Sequence, residues 1–184
     1  MNFIPTPLEG AFVIEPERFV DDRGFFARTW CQREFGQQGL VNEFVQTNVS
    51  YNVRAGTVRG MHYQLPPHSE VKIVRVTRGR IYDVIVDIRP GSPTFLQKTG
   101  VELDAENRLS LYVPRGFAHG FQTLADDTEV FYQMSAYYMP DFARGLRWND
   151  PLIDVIWPLP VSVIAERDRT YRDGAIQDFD TFRV

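Results

Sequence analysis

His62 lies in the run Arg59-Gly60-Met61-His62-Tyr63-Gln64 and is one of three histidines in the chain. Arg59 and Gly60 stand just before it and Lys72 follows ten residues on. Fixed positive charge and a backbone position without a side chain therefore flank a potential proton acceptor. Removing a proton next to a carbonyl needs that combination: a base for the proton, and donors or cations for the developing oxyanion. His119, Tyr132 and Lys72 suit the same chemistry, provided that the elements carrying them turn them inward.

Those elements read as strands. Apolar runs are short and punctuated by Gly, Pro, Asp and Asn, which predicts an all-β domain. Strands are expected over 12–14, 24–30, 44–51, 71–76, 81–88, 99–103, 109–113, 117–124 and 129–137. The pair flanking Asp104-Ala105-Glu106-Asn107 carries a hairpin signal. Short helices are expected over 33–39 and within 161–172. This spacing predicts a jelly-roll sandwich or barrel, in a single domain spanning residues 1–184.

Alternate residues of a strand share a face. Phe117, His119 and Phe121 therefore point together, as do Val130, Tyr132 and Met134, and Lys72 points with Val74 and Val76. Three polar, titratable groups aimed at one interior are costly without partners or a ligand. Along 81–88, Tyr82, Val84, Val86 and Ile88 form one face. Asp83 and Asp87 alternate with Ile81 and Ile85 on the other, which predicts a partly wet face. Ordinary readings stand beside these. An inward histidine is often a satisfied core residue, and a buried tyrosine commonly just hydrogen-bonds. Lys72 can snorkel to solvent from a strand end, and Arg23, Arg59 and Arg75 can be plain surface charges.

A metal centre is the competing idea. Leu111 to His119 resembles the second cupin signature, whose histidine often binds metal. The first signature wants a His-x-His pair and a later glutamate, whereas His62-Tyr63-Gln64 offers one histidine. Two interior histidines without a carboxylate at that spacing make a poor metal site, so neither metal nor organic cofactor is expected. The net charge of −4 argues against a nucleic-acid partner but leaves room for arginines gathered around a small anion. No apolar stretch approaches the roughly 18 residues of a membrane span, and no leader pattern opens the chain. Cys31, the single cysteine, cannot form an internal disulfide, which points to a cytoplasmic protein.

Several runs together resemble the dTDP-4-dehydrorhamnose 3,5-epimerases, metal-independent cupins acting on nucleotide-linked 4-keto-6-deoxy sugars. They are Asp22-Arg23-Gly24-Phe25-Phe26, Gln46-Thr47-Asn48-Val49-Ser50, Arg59 to Gln64, Asp83 to Pro93, Pro114 to Phe121, Tyr137-Tyr138-Met139-Pro140 and Arg147 to Pro151. The resemblance implies a cupin-type jelly roll, with His62 as general base, Asp168 as its partner and Tyr132 as the acid on the opposite face. It places Arg59, Lys72 and His119 at the sugar and diphosphate. Arg23, Gln46 and Asn48 would be further ligand contacts, with Phe19 and Tyr138 as aromatic neighbours. It also implies a homodimer in which the N-terminal segment, with Phe19 and Arg23, completes the neighbour's pocket.

The chemistry is coherent. A ketone at C4 acidifies the hydrogens at C3 and C5, and loss of either gives an enolate. Inversion then needs proton removal from one face and return to the other. Imidazole, with an ordinary pKa of about 6.5, suits the first task near neutral pH. Lys72 and Arg59 would share the enolate oxygen and the diphosphate between them. The chain departs from the family pattern at Arg28 and Ala143, where the family usually has glutamates. It departs again at Ile164-Ala165-Glu166-Arg167-Asp168, where Leu-Ser-x-Lys-Asp is usual, leaving Arg167 as a substrate-binding candidate. A carboxylate accepts from thymine N3–H, whereas an arginine donates, which suits cytosine or guanine acceptors. The nucleotide is therefore open between dTDP, CDP and GDP, and inversion at C3 or C5 alone needs the same residues. Outside catalysis, the remaining reading is a sugar-nucleotide-binding protein.

Overall fold

A computed structural model describes residues 1–182. The N-terminal part holds β1 (Asn2–Pro5), β2 (Phe12–Glu15), β3 (Arg18–Asp21), β4 (Gly24–Ala27) and the helix α1 (Gln32–Gln37). The body is β5 (Gln46–Asn52), β6 (Thr57–Gln64), β7 (Lys72–Arg78), β8 (Arg80–Asp87), β9 (Lys98–Asp104), β10 (Ser110–Val113), β11 (Phe117–Thr123) and β12 (Thr128–Met134). β13 (Ala143–Gly145), β14 (Val163–Ile164), α2 (Glu166–Arg169) and a 3-10 helix (Ile176–Phe182) follow.

Two sheets face each other. One runs β1-β2-β10-β7-β12-β5; the other runs β13-β6-β11-β8-β9, with β14 added in parallel to β6. From β5 to β12 the chain changes sheet at every connection except β8 to β9, which pair directly. This alternation is a jelly roll. It also overturns the hairpin expected around 104–107: β9 pairs with β8, while β10 lies between β2 and β7. Asp104 accepts from the Glu106 and Asn107 N–H groups and Arg108 adopts φ 60°, so the turn becomes a corner. Leu103 and Leu111 then meet in the core between the sheets.

Alternation correctly sorts the inward residues. Val74, Val76, Phe117, Phe121 and Val130 share the central core with Ile81 and Ile85. Val84, Val86 and Ile88 pack outward beneath Phe179 and Phe182 of the C-terminal segment. The other sheet is covered by Phe35 of α1, against Ile73 and Tyr112. The partly wet face of β8 is not found. Asp83 and Asp87 are fully buried, because each has partners: His119 for Asp83, and Arg89, Ser92 and Thr94 for Asp87. Buried carboxylates persist where they are hydrogen-bonded.

Candidate active site

Between the sheets, the interior that apolar side chains do not fill is a cleft with two adjoining lobes of about 350 and 360 Å³. His62, Lys72 and Tyr132 line both lobes. The first adds Arg59, His119 and Asp168; the second adds Gln46, Asn48, Tyr138, Arg167 and Glu70. His62 and His119 come from one sheet, as cross-strand neighbours on β6 and β11. Lys72 and Tyr132 come from the opposing sheet, on the adjacent strands β7 and β12. The base candidate and the acid candidate thus stand on facing walls.

One irregularity aims the first wall. Across β6 and β11, His119 is level with His62 and Phe121 with Arg59, so Gly60 and Met61 together oppose Gly120 alone. In a regular strand Arg59 and His62, three apart, would face opposite ways; the extra residue of this bulge turns both into the cleft. Gly60 has φ +136°, and a Cβ there would lie 2.4 Å from Gly120 Cα. Only glycine permits that approach. No alternation is visible across Arg59-Gly60 in the sequence, which is why β6 was not among the expected strands.

His62 Nε2 lies 2.7 Å from Asp168 Oδ1, and the other Asp168 oxygen accepts the Gly60 N–H at 3.2 Å. β14, running alongside β6, delivers α2 and its buried Asp168 to this place. Burial acts to raise the Asp168 carboxyl, but the His62 hydrogen bond and charge, the Gly60 N–H and Arg167 outweigh it. The carboxyl is held below its ordinary value and stays ionised. As an acceptor only, it takes Nε2–H from His62 and leaves the Nδ1 lone pair for a proton. His62 keeps 40% of its side-chain surface exposed, and it lines the cleft. In a second dyad, His119 Nε2 lies 2.7 Å from Asp83 Oδ1, with Asp83 fully buried and His119 at the cleft wall.

The cations are held as well. Arg59 Nε donates to Asn52 Oδ1 at 2.7 Å, and the Asn52 amide is fixed by the Ser50 and Thr128 carbonyls. Lys72 Nζ contacts Glu70 Oε1 at 3.0 Å and the His62 carbonyl at 3.4 Å. Arg167 donates to the Tyr171 hydroxyl at 2.6 Å, and the Tyr171 ring meets His62 edge-on at 6.3 Å. Despite the net negative charge, arginines and a lysine gather around the cleft, as a small anion requires. Among the described residues, no three His, Cys, Asp or Glu side chains group to hold a metal ion.

Residues 5–174 match a family model described as dTDP-4-dehydrorhamnose 3,5-epimerase. The chain belongs to that family. It is an isomerase with a cupin-type jelly roll. A family member from Methanothermobacter thermautotrophicus, of the same name, is 44% identical over 93% of each chain. A crystal structure of the Bacillus anthracis enzyme with TDP and PPi bound has a TM-score of 0.90 at 42% identity, covering 94% of this chain and 98% of that one. A relative from Streptomyces niveus named dTDP-4-dehydrorhamnose 3-epimerase is 34% identical over 92% of this chain and 82% of its own. No helix among the described residues is long and apolar enough to cross a membrane.

Set against this epimerase family, the predicted site residues divide. His62, Lys72, Tyr132, Asp168, Arg59, His119, Gln46, Asn48, Tyr138 and Arg167 all line the cleft. Phe19, Arg23 and Arg28 do not. Phe19 is 59% exposed on β3, Arg23 pairs with Asp21 at the β3–β4 turn, and Arg28 pairs with Glu34 of α1 at 2.8 Å. Asn52, Glu70, Asp83 and Tyr171 contact Arg59, Lys72, His119 and Arg167 respectively, and spacing does not reveal those contacts. Only Asp83 left a sequence signal, as a carboxylate alternating with isoleucines.

Proposed function

We propose that this protein inverts C3 and C5 of a nucleotide-diphosphate 4-keto-6-deoxyhexose, converting dTDP-4-dehydro-6-deoxyglucose to dTDP-4-dehydrorhamnose. The supporting observation is the His62–Asp168 dyad on one wall of the cleft with Tyr132 on the wall opposite. His62 Nδ1 takes the proton from C3 or C5, and the C–H electrons move through C4 onto the ketone oxygen. Asp168 stabilises the resulting imidazolium. Lys72 and Arg59 supply the positive charge that the enolate oxygen and diphosphate require. The Tyr132 hydroxyl returns a proton to the opposite face of the same carbon, and solvent exchange then restores both groups. Each proton-transfer group is worth about 10²–10⁴-fold in rate.

Relatives named for dTDP-sugars support that nucleotide, and the Arg28–Glu34 ion pair leaves Arg28 engaged within its own protomer. Epimerisation at C3 alone is the second reading, favoured by the 34% identical relative of that name. Incubation of dTDP-, CDP- and GDP-4-keto-6-deoxyglucose in D₂O, followed by NMR, separates the readings. Deuterium at both C3 and C5 of the dTDP-sugar is the expected result. Label at C3 alone supports the second reading, faster turnover of CDP- or GDP-sugar overturns the nucleotide, and no exchange with any sugar overturns catalysis.

A further inference from the structure

Glu70 is a buried carboxylate that these proton transfers leave unused. It stands in the loop between β6 and β7, and its Oε1 lies 3.0 Å from the equally buried Lys72 ammonium. The other contact of Lys72 Nζ is the main-chain oxygen of His62, at 3.4 Å. An ammonium has three N–H donors and no acceptor. With one directed to Glu70 and one to the residue that bears the base, the third is left for the occupant of the cleft.

We propose that Glu70 is the positioning residue for Lys72. It fixes the direction of the ammonium, so that the remaining N–H meets the oxyanion forming at C4 as His62 takes the proton. The lysine stem is flexible, and its head would otherwise sample many directions. A carboxylate beside Lys72 weakens the positive field that the enolate meets, so its contribution is direction rather than charge. Glutamine keeps an acceptor at this position and alanine does not, which separates the two effects. The loop is itself braced, since Gln64 donates to the His68 carbonyl and accepts from the Met139 N–H. Glu70 is therefore presented from a supported backbone.

The proposal rests on the role given to Lys72 above, so its test includes that residue. Steady-state kcat and KM for the dTDP-4-keto sugar are compared in Glu70→Ala, Glu70→Gln, Lys72→Met and the Glu70→Ala/Lys72→Met pair, with folding checked by thermal melting. Glu70→Ala is expected to lower kcat about 10- to 100-fold with KM within about threefold. Glu70→Gln is expected to recover most of that loss, and Glu70→Ala to add nothing to Lys72→Met. An unchanged kcat in Glu70→Ala, a loss confined to KM, or the same further loss on top of Lys72→Met overturns the proposal. Full activity of Lys72→Met overturns the underlying role of Lys72 instead. If Glu70→Ala does not fold, Glu70→Leu, which fills the space without an acceptor, is read in its place.

Discussion

At the scale of single residues, Asp168 decides what His62 can do. Its carboxylate meets the ring at Nε2, and in the proposed reaction it would favour the imidazolium formed when His62 takes a proton. Asp168→Asn keeps the shape but offers an amide, and it is expected to lower kcat about 100-fold or more with substrate binding retained. Asn52 carries a parallel prediction for Arg59, whose guanidinium it holds. Asn52→Ala is expected to raise KM several-fold more than it lowers kcat, as measured in the same assay. Lys72, His119 and Tyr132 were legible from alternation, because each sits in a run whose apolar neighbours show which way it faces, whereas His62 was legible only from the arginine and glycine before it. Asp168 was not. It lies 106 residues beyond His62, on a four-residue helix without periodicity, and only family resemblance pointed to it. Glu70 and Asn52 were also invisible, since their partners depend on how a loop and two strands lie in space.

At the scale of elements, the bulge between β6 and β11 joins fold to chemistry. Gly60→Ala would press a Cβ against Gly120 at a φ that L residues rarely adopt. The expected cost is about 3 kcal/mol in chemical denaturation, with loss of kcat beyond what destabilisation explains, because Arg59 and His62 would no longer share a face. The loop after β8 is tied by Asp87. Burial acts to raise that carboxyl, yet bonds from Arg89, Ser92, Thr94 and the Arg89 N–H together hold it below the ordinary value. A carboxyl lowered by folding stabilises above its unfolded pKa of about 3.9, and that stabilisation is lost as pH falls through the lower folded value. Asp87→Asn should therefore lower the melting temperature at pH 7 and flatten its decline below about pH 4. An unchanged acid limb would contradict this. Most strands of the two facing sheets were readable because the core between them imposes inward alternation, whereas β1, β3 and β6 were not. The hairpin over 104–107 was misread because a turn signal does not say whether the chain returns beside itself or crosses to the facing sheet. The Gly60 bulge leaves no periodic trace at all.

At the scale of the whole molecule, the β3–β4 hairpin presents Phe19, Val20 and Phe26 at 59%, 77% and 68% exposure, with Arg23 at its turn. Exposed apolar residues grouped on one two-stranded element mark a contact surface, and a symmetric pair of chains is the expected user. Phe26→Asp is predicted to turn a dimer into a monomer in sedimentation velocity and to reduce activity although the residue lies outside the cleft. A wild-type monomer would contradict it. In the proposed reaction, two groups on facing sheets act on opposite faces of one carbon. Tyr132→Phe removes one group and leaves the other, so proton removal and inversion can be read separately by NMR in D₂O. Tyr132→Phe is expected still to wash deuterium into unepimerised dTDP-4-keto-6-deoxyglucose, while His62→Ala incorporates none. Normal epimer formation by Tyr132→Phe, or persistent exchange in His62→Ala, would contradict it.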